Sequence, residues 1–392
     1  MRRSADDAGN HHETRRRTRL TSMMLDGSAF PQIPDTASIS MPRPKQPRPI
    51  LVIGAGGIVR AAHLPAYRKA GFPVIGIMDQ AGERADQVAA DFAIPRAFSS
   101  LSEAVRYAPP DAVFDVAIPA SQLLNVLDEL PMRSAALMQK PMGETLAEAD
   151  AIRALCRDRN LAAAVNFSLR YSPGNLAARA LADAGLIGAI HDMEVQTTTV
   201  TPFHLWTFLT TAPRLEILYH SIHYFDLIRS WLGNPRSVAA RTVRSPQMDK
   251  LAPTRTVAIL DYGDDMRVFV ATNHSHDFGS AHRNSYVQWE GTLGAARMTM
   301  GVTLDYQSPA PDRLEFARRG WRDVSWNVLP LGGNTFPDGF IGTMGSLQAW
   351  VEGSAPSLPT HFEDAWQTMA LVEALYESSE HGAAWTPGPS AK

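Results

Sequence analysis

The stretch LVIGAGGIVRAAHLPAY, residues 51–67, joins an apolar run to a segment with helical spacing through three glycines. Glycines between a strand and a helix indicate a sharp backbone turn or a close approach to a ligand. Gly54 and Gly56 match the first two glycines of a dinucleotide-binding turn, whereas Val59 stands where the third is usual. The stretch therefore predicts a strand, a turn that binds a pyrophosphate, and a helix.

An acidic residue, Asp79, ends the next apolar run, VIGIMD. It stands where a dinucleotide-binding domain needs a carboxylate for the ribose hydroxyls of the adenosine. A carboxylate at this place repels a 2′-phosphate, and the neighbouring Gln80 and Ala81 carry no positive charge. We therefore expect NAD as the cofactor, with NADP disfavoured.

Short apolar runs alternate with amphipathic segments between residues 49 and 166. The predicted strands are residues 50–53, 74–78, 113–118, 136–139 and 162–167, and the predicted helices are residues 61–70, 83–92, 102–107, 122–130 and 147–157. Nearly all-apolar strands that alternate with helices are typical of a parallel sheet covered on both faces. We expect an α/β domain with a doubly wound parallel sheet of the Rossmann type over residues 46–168.

The pattern changes after Arg170. An alternating run at residues 191–200 and two later segments broken by Gly-Asp-Asp and Gly-Thr-Leu-Gly predict antiparallel strands. Helical patterns occupy residues 176–184, 214–232 and 362–378. We expect residues 169–392 to form an α+β domain on a mainly antiparallel sheet.

The first 45 residues differ in composition from the rest of the chain. Six arginines fall among the first 19 positions, and no apolar periodicity accompanies them. We expect residues 1–45 to be a disordered basic extension. The alternatives are a basic arm for an anionic partner and a later natural start at Met41.

Composition excludes several classes of protein. A formal net charge of -3 argues against nucleic-acid binding, which usually needs a basic face. The single cysteine, Cys156, excludes an intramolecular disulfide and fits a reducing compartment. No apolar run approaches the roughly 20 residues that span a bilayer. We therefore expect a cytoplasmic protein with neither a nucleic-acid nor a membrane partner.

Five segments carry a resemblance to a known family: GAGGIVRAAHLPAY, MQKPMGETLAEA, NFSLRYSP, HSIHYFDLIRSWLG and DGFIGTMGSLQAWVEG. With them the chain resembles the glucose–fructose oxidoreductase / inositol dehydrogenase / MocA family over roughly residues 49–380. The resemblance implies a Rossmann domain and an open-faced antiparallel sheet that makes homodimer or homotetramer contacts. It also implies NAD(P)-dependent oxidation or reduction of sugars, cyclitols and related polyols.

The family's motifs can be placed on this sequence residue by residue. Its Glu-Lys-Pro signature falls on Gln139, Lys140 and Pro141, so the lysine that contacts the reacting hydroxyl is kept and the glutamate is not. Its Asp-x-x-x-His pair falls on Tyr219 and His223, so the histidine is kept and the aspartate is replaced. We expect Lys140 and His223 to be the catalytic residues.

The segment 214–232 carries polar residues at spacings of three and four on an otherwise apolar helix: Glu216, Tyr219, His220, His223, Asp226 and Ser230. A polar stripe on such a helix must face partners or a cavity, so a ligand pocket is predicted there. The expected substrate contacts are Tyr219, His220, His223, Asn166 and Arg170. For Asn166 and Arg170, hydrogen bonding between the domains is an equal alternative, and His204 and Trp206 are weaker candidates.

The expected cofactor contacts come from the glycine turn, from strand ends and from the lysine: Gly54, Gly56, Gly57, Ile58, Asp79, Pro119 and Lys140. In the mechanism that these residues suggest, His223 takes the hydroxyl proton while hydride leaves for the nicotinamide. Lys140 orients the hydroxyl and stabilises its developing negative charge. Without a carboxylate at position 219, activity is expected to rise through the neutral range.

Three other functions stay open from the residues. A metal enzyme could use His220-x-x-His223 and His274-x-His276, although no metal is expected. An NAD-retaining hydrolase could cleave a glycosidic bond through transient oxidation. A non-catalytic sensor of NAD or sugar would have no need of the two proton-transfer groups.

Overall fold

A six-stranded parallel sheet forms the first half of the described chain. The structure is a computed structural model that describes residues 32–306, 308–320 and 325–382. The strands are β1 (Ile50–Ile53), β2 (Val74–Met78), β3 (Ala97–Phe98), β4 (Val113–Val116), β5 (Ala135–Met138) and β6 (Ala162–Val165). They lie in the order β3-β2-β1-β4-β5-β6, and every neighbouring pair is parallel. The predicted doubly wound sheet is thereby confirmed. Of its six strands only β3 was not predicted, because it is too short to show a periodicity.

Helices cover both faces of this sheet. They are α1 (Leu64–Ala70), which follows a π-helical turn at Val59–His63, α2 (Gly82–Phe92), α3 (Leu101–Tyr107), α4 (Leu123–Glu129) and α5 (Leu146–Asp158). Every residue of β1, β4 and β5 is buried, as expected for central strands that face helices on both sides.

The second sheet is mixed and mostly antiparallel. Its strands are β7 (Ile190–Thr198), β8 (Ser237–Val243), β9 (Arg255–Asp261), β10 (Arg267–Asn273), β11 (Asn284–Gly291), β12 (Gly294–Thr299), β13 (Arg313–Arg318) and β14 (Asn327–Leu329). They lie in the order β14-β13-β12-β11-β7-β10-β9-β8, and only the β7–β10 pair among these described strands is parallel. The two predicted hairpins, β9–β10 and β11–β12, are confirmed.

One face of the second sheet is covered by helices and the other is open. The remaining helices are α6 (Pro173–Asp183), α7 (Ile222–Leu232), α8 (Gly301–Leu304), α9 (Gly339–Glu352) and α10 (Phe362–His381). Strand β9 alternates between buried and exposed residues, and its open face carries Val257 and Ile259, which are 54% and 58% exposed. Across the described ranges, no helix is long and apolar enough to cross a membrane.

Helix α9 packs against the first domain. The predicted division at residue 168 assigns this helix to the second domain. Its residues from Gly339 to Ala349 are all buried, as expected for a helix that is apolar on all sides. Phe340, Met344 and Leu347 belong to the same hydrophobic core as Ile50 of β1. The first domain is therefore completed by a segment from near the end of the chain.

The expected disorder of residues 1–45 is wrong for the part that the structure describes. Thr36 is buried and donates a hydrogen bond to the carbonyl of Pro330 at 2.7 Å. The backbone N–H groups of Lys45 and Arg48 donate to Glu352 and Gln348 of α9, each at 2.7 Å. Packing against distant parts of the chain holds this segment, and no local pattern reveals it. Residues 1–31 lie outside the described residues.

Candidate active site

A cavity of about 810 Å³ lies between the carboxyl ends of the first sheet and the second domain. Its first side is formed by the glycine turn and the ends of β2, β4 and β5, where open α/β sheets bind ligands. Its second side is formed by residues 200–203 and 205–209, by side chains around the start of α7, and by Met300, Val302, Thr303 and Tyr306. All the predicted cofactor contacts line this cavity: Gly54, Gly56, Gly57, Ile58, Asp79, Pro119 and Lys140.

The glycine turn depends on two different requirements. Gly54 has a φ of 102°, and a Cβ there would lie 2.3 Å from the carbonyl oxygen of Ala117, so only glycine fits. A Cβ on Gly56 or Gly57 would meet no protein atom within 4 Å. The space above these two glycines is therefore open to a ligand that approaches the backbone.

Asp79 lies beside the glycine turn and is fixed by backbone groups. Its carboxylate accepts hydrogen bonds from the N–H groups of Ala55 and Ala81, both at 2.9 Å. Arg84 approaches the same carboxylate at 3.4 Å, so the inference that no cation lies nearby needs correction. Arg84 lies in the first turn of α2. The residues directly after Asp79 therefore do not show that a cation lies near its carboxylate. The negative charge of Asp79 compensates the positive charge of Arg84, so a 2′-phosphate is still disfavoured.

Lys140 extends from the end of β5 into the cavity. Its Nζ donates a hydrogen bond to the carbonyl oxygen of Tyr219 at 2.5 Å, so the lysine bridges the two domains. Burial lowers the pKa of Lys140 to about 8. The lysine therefore changes its charge close to the working range of a neutral-pH enzyme.

His220 and His223 both line the cavity from the second domain. Burial lowers the pKa of His223 well below its usual value, and the positive charge of Lys140 lowers it further. Burial also lowers the pKa of His220 well below its usual value, with smaller effects from His274, His223 and Lys140. His223 is therefore a neutral imidazole throughout the neutral range. The predicted rise of activity through the neutral range is therefore wrong for His223; the rise is expected at a lower pH.

Tyr219 occupies the place of the family aspartate, and its hydroxyl donates to Oε1 of Glu144 at 2.7 Å. Burial raises the pKa of Tyr219 well above its usual value, and the bond to Glu144 raises it further. A carboxylate from the loop after Pro141 thus contacts Tyr219, which lines the cavity, without lining the cavity itself. Glu144 lies within the quoted segment MQKPMGETLAEA, but its contact with Tyr219 spans 75 positions and is created by tertiary packing.

Asn166 and Arg170 do not line the cavity, which corrects their expected role as substrate contacts. Asn166 is buried and accepts a hydrogen bond from the hydroxyl of Thr343 in α9 at 2.8 Å. Arg170 donates twice to Asp226, both at 2.6 Å, and also pairs with Asp364. The neutral amide of Asn166 is thus paired inside the protein, and two carboxylates neutralise the charge of Arg170. The partners of Arg170 lie in its own domain, so it does not make the hydrogen bond between the domains that was the alternative expectation.

The predicted polar stripe is also divided. Residues Glu216–Ser221 form a π-helical turn before α7, so side chains after this turn take a different register from that of a single α-helix. Asp226 consequently faces Arg170 rather than the cavity. Ser230 donates to the carbonyl of Leu227 within its own helix.

An aromatic wall lines the second side of the cavity: Phe203, Trp206, Phe208, Tyr306 and Phe336. Trp206 meets Tyr306 edge-on with ring centroids 5.1 Å apart, and Phe208 meets Tyr219 at 5.6 Å. Trp206 was a predicted candidate, whereas His204 is exposed and does not line the cavity. The other rings come from separate segments, so no single motif predicts the wall.

Comparisons with known proteins agree with this architecture. Residues 48–167 match a family model described as an oxidoreductase family with an NAD-binding Rossmann fold. Residues 175–297 match the model of the GFO/IDH/MocA C-terminal domain.

Two curated relatives are both named D-apiose dehydrogenase. The one from Rhizobium rhizogenes is 24% identical over 261 residues, covering 63% of this chain and 70% of the relative. The one from Paraburkholderia graminis is 25% identical over 338 residues, covering 84% of this chain and 87% of the relative.

Two solved structures show the same fold. A levoglucosan dehydrogenase in complex with NADH and levoglucosan has a TM-score of 0.71 and 18% identity, covering 86% of this chain and 98% of its own. An oxidoreductase from Agrobacterium radiobacter in complex with NAD+, L-tartaric acid and magnesium has a TM-score of 0.70 and 22% identity, with the same coverage.

Proposed function

The chain belongs to the GFO/IDH/MocA family of NAD-binding oxidoreductases, and from that premise we propose that it acts on a secondary hydroxyl or carbonyl of a sugar, a sugar derivative or a cyclitol. The protein is thus an NAD-dependent dehydrogenase. The observation that carries the proposal is that one cavity joins the glycine turn to Lys140 and His223.

The residues of the first side fit NAD. The open space over Gly56 and Gly57 would take the pyrophosphate, and Asp79 would accept the adenosine ribose hydroxyls. Pro119 and Lys140, at the ends of neighbouring strands, would then lie toward the nicotinamide. When bound, NAD supplies the hydride acceptor for oxidation.

His223 on the second side and Lys140 on the first side fit the proton chemistry. His223 is neutral at physiological pH, so it can accept the proton of the substrate hydroxyl. Lys140 donates a hydrogen bond to the same oxygen and stabilises the negative charge that develops on it. In the reductive direction the protonated His223 returns the proton to the carbonyl oxygen.

The aromatic wall supports a sugar as substrate. Aromatic rings present apolar faces to the C–H groups of a sugar ring, and the hydroxyls need convergent polar groups. Tyr219 and His220 supply such groups beside His223. Relatives named for D-apiose and levoglucosan support the same substrate class.

The open face of the second sheet supports a homodimer or homotetramer. Val243, Val257 and Ile259 are exposed on β8 and β9, the last two by more than half. Exposed apolar side chains on a sheet face are typical of a subunit contact. Val257→Lys together with Ile259→Lys should reduce the molar mass measured by light scattering; an unchanged mass would contradict this contact.

The single cysteine bears on the cellular location. Cys156 is buried and free, which supports a reducing compartment and therefore a cytoplasmic location.

A substrate panel tests the function directly. Sugars, sugar lactones and cyclitols are incubated with NAD or NADH, and the absorbance of NADH is followed. We expect turnover with at least one member and its loss in His223→Asn, which should keep its affinity for NAD. Cofactor that stays bound without net reduction, while a glycoside is cleaved, would contradict the proposal and favour the hydrolase.

A further inference from the structure

A cluster of three ligand-type side chains lies behind the wall of the cavity. Glu216, His220 and His274 each offer one ligand atom, and these atoms lie within 4.8 Å of one another. His274 Nε2 is 3.2 Å from Glu216 Oε1, and His220 Nδ1 is 3.8 Å from the same oxygen. The residues come from the π-helical turn and from just after β10, so the fold rather than local sequence brings them together.

The cluster is buried but incompletely paired. The side chains of Glu216 and His274 are 0% exposed. Glu216 Oε2 and His220 Nδ1 are buried without a hydrogen-bond partner among the described residues. Burying a polar atom without a partner is unfavourable, so these two atoms have a binding capacity that a ligand at the cluster would satisfy.

Neighbouring groups fix the orientation of two of these side chains. Thr201 Oγ1 is 2.7 Å from Nδ1 of His274, which leaves Nε2 directed at Glu216. Ser221 donates to Oε1 of Glu216. Hydrogen bonds from a second layer of residues onto metal ligands are typical of metal sites.

We propose that Glu216, His220 and His274 bind a zinc ion beside the substrate cavity. Two imidazoles and one carboxylate suit Zn²⁺, whereas Mg²⁺ prefers oxygen ligands alone. Because His220 also lines the cavity, the fourth ligand would come from the cavity side. The proposal goes beyond hydride transfer to NAD, for which Lys140 and His223 suffice.

The ordinary alternative explains less of the geometry. A buried ion pair between Glu216 and a protonated His274 would account for their 3.2 Å contact. It would leave the second oxygen of Glu216 and Nδ1 of His220 unpaired. Nδ1 of His220, which has no hydrogen-bond partner among the described residues, instead remains available to bind a metal.

Metal content and binding test the proposal on the full chain without a histidine tag. Elemental analysis after purification, followed by titration of chelator-treated protein with Zn²⁺ or Co²⁺, should give about one equivalent per chain. The Co²⁺ protein should show visible absorption bands, and Mg²⁺ should neither bind nor displace Co²⁺. His274→Asn and Glu216→Gln should abolish binding, and Thr201→Val should weaken it about tenfold or more.

His276→Asn is the matched control, since it removes an imidazole two positions away but outside the cluster. It should keep the full metal content. NAD affinity, measured by fluorescence, verifies that each variant is folded. The proposal is overturned if folded wild-type protein takes up no Zn²⁺ or Co²⁺, or if His276→Asn loses as much metal as Glu216→Gln.

Discussion

The cavity has two walls that are built from different parts of the chain. The cofactor wall, formed by Gly54, Gly56 and Asp79, depends on backbone: one glycine has no room for a Cβ, and the carboxylate is held by two N–H groups. The reaction wall, formed by Lys140 and His223, depends on buried side chains: burial lowers the pKa of both, and the charge of Lys140 lowers the pKa of His223 further. Changes in the first wall should therefore alter what binds, and changes in the second should alter rate and pH dependence.

The largest effect is expected from Lys140→Met. This change removes the charge that stabilises the developing alkoxide, so kcat should fall by about 10²-fold or more. NAD affinity should change much less than kcat, because the glycine turn and Asp79 are untouched and Lys140 would lie only toward the nicotinamide. Single-turnover NADH formation and fluorescence titration measure the two quantities, with the exposed Lys250→Met as control. Losses of rate and of NAD affinity by similar factors would contradict the separate roles of the two walls.

The next largest effect is expected at the glycine turn, where Gly54 and Gly56 should respond differently to substitution by alanine. Gly54→Ala places a Cβ against the carbonyl of Ala117 at a positive φ, so both the melting temperature and NAD affinity should fall. Gly56→Ala meets no protein atom, so it should leave the melting temperature unchanged and weaken NAD alone. Thermal unfolding and NAD titration of both variants check this. Equal destabilisation by the two changes would contradict the difference in space around them.

Cofactor choice gives the third test. Asp79→Ser removes the carboxylate that opposes Arg84, which then becomes available to a 2′-phosphate. The preference for NAD over NADP should fall by about 10–100-fold, the equivalent of about 1.4–2.8 kcal/mol. The ratio of kcat/KM for the two cofactors measures it. The double variant Asp79→Ser with Arg84→Ala should lose this gain; if it keeps the gain, Arg84 has no part in the choice.

The smallest effect is expected at Tyr219. Tyr219→Phe removes one hydrogen bond to Glu144, which should raise the substrate KM roughly fivefold, or about 1 kcal/mol. Glu144→Gln should act through the same contact, so the double variant should show less than the sum of the two effects. The pH profile of kcat should not move. Loss of the chemical step in Tyr219→Phe would make the phenol, instead of His223, the proton-transfer group.

The two walls also differ in how far sequence could predict them. Every predicted residue of the cofactor wall lines the cavity, because glycines, strand ends and a following acid lie close together in the chain. Among the residues predicted for the reaction, Lys140, Tyr219, His220 and His223 also line the cavity, whereas Arg170 and Asp226 neutralise each other elsewhere. The π-helical turn at Glu216–Ser221 and the contacts of Glu144 arise from tertiary packing, so neither spacing nor composition reveals them.

The most direct test of the two-wall account is the pH dependence of kcat for sugar oxidation in wild type and in Lys140→Arg. Lys140 is charged below its pKa of about 8 and neutral above it, so the wild-type rate should fall as pH rises through about 8. A bound nicotinamide cation would move this fall to lower pH. Arginine stays charged, so Lys140→Arg should have a lower rate without this fall and an unchanged NAD affinity. The same fall in Lys140→Arg, or a loss of NAD affinity, would contradict the account.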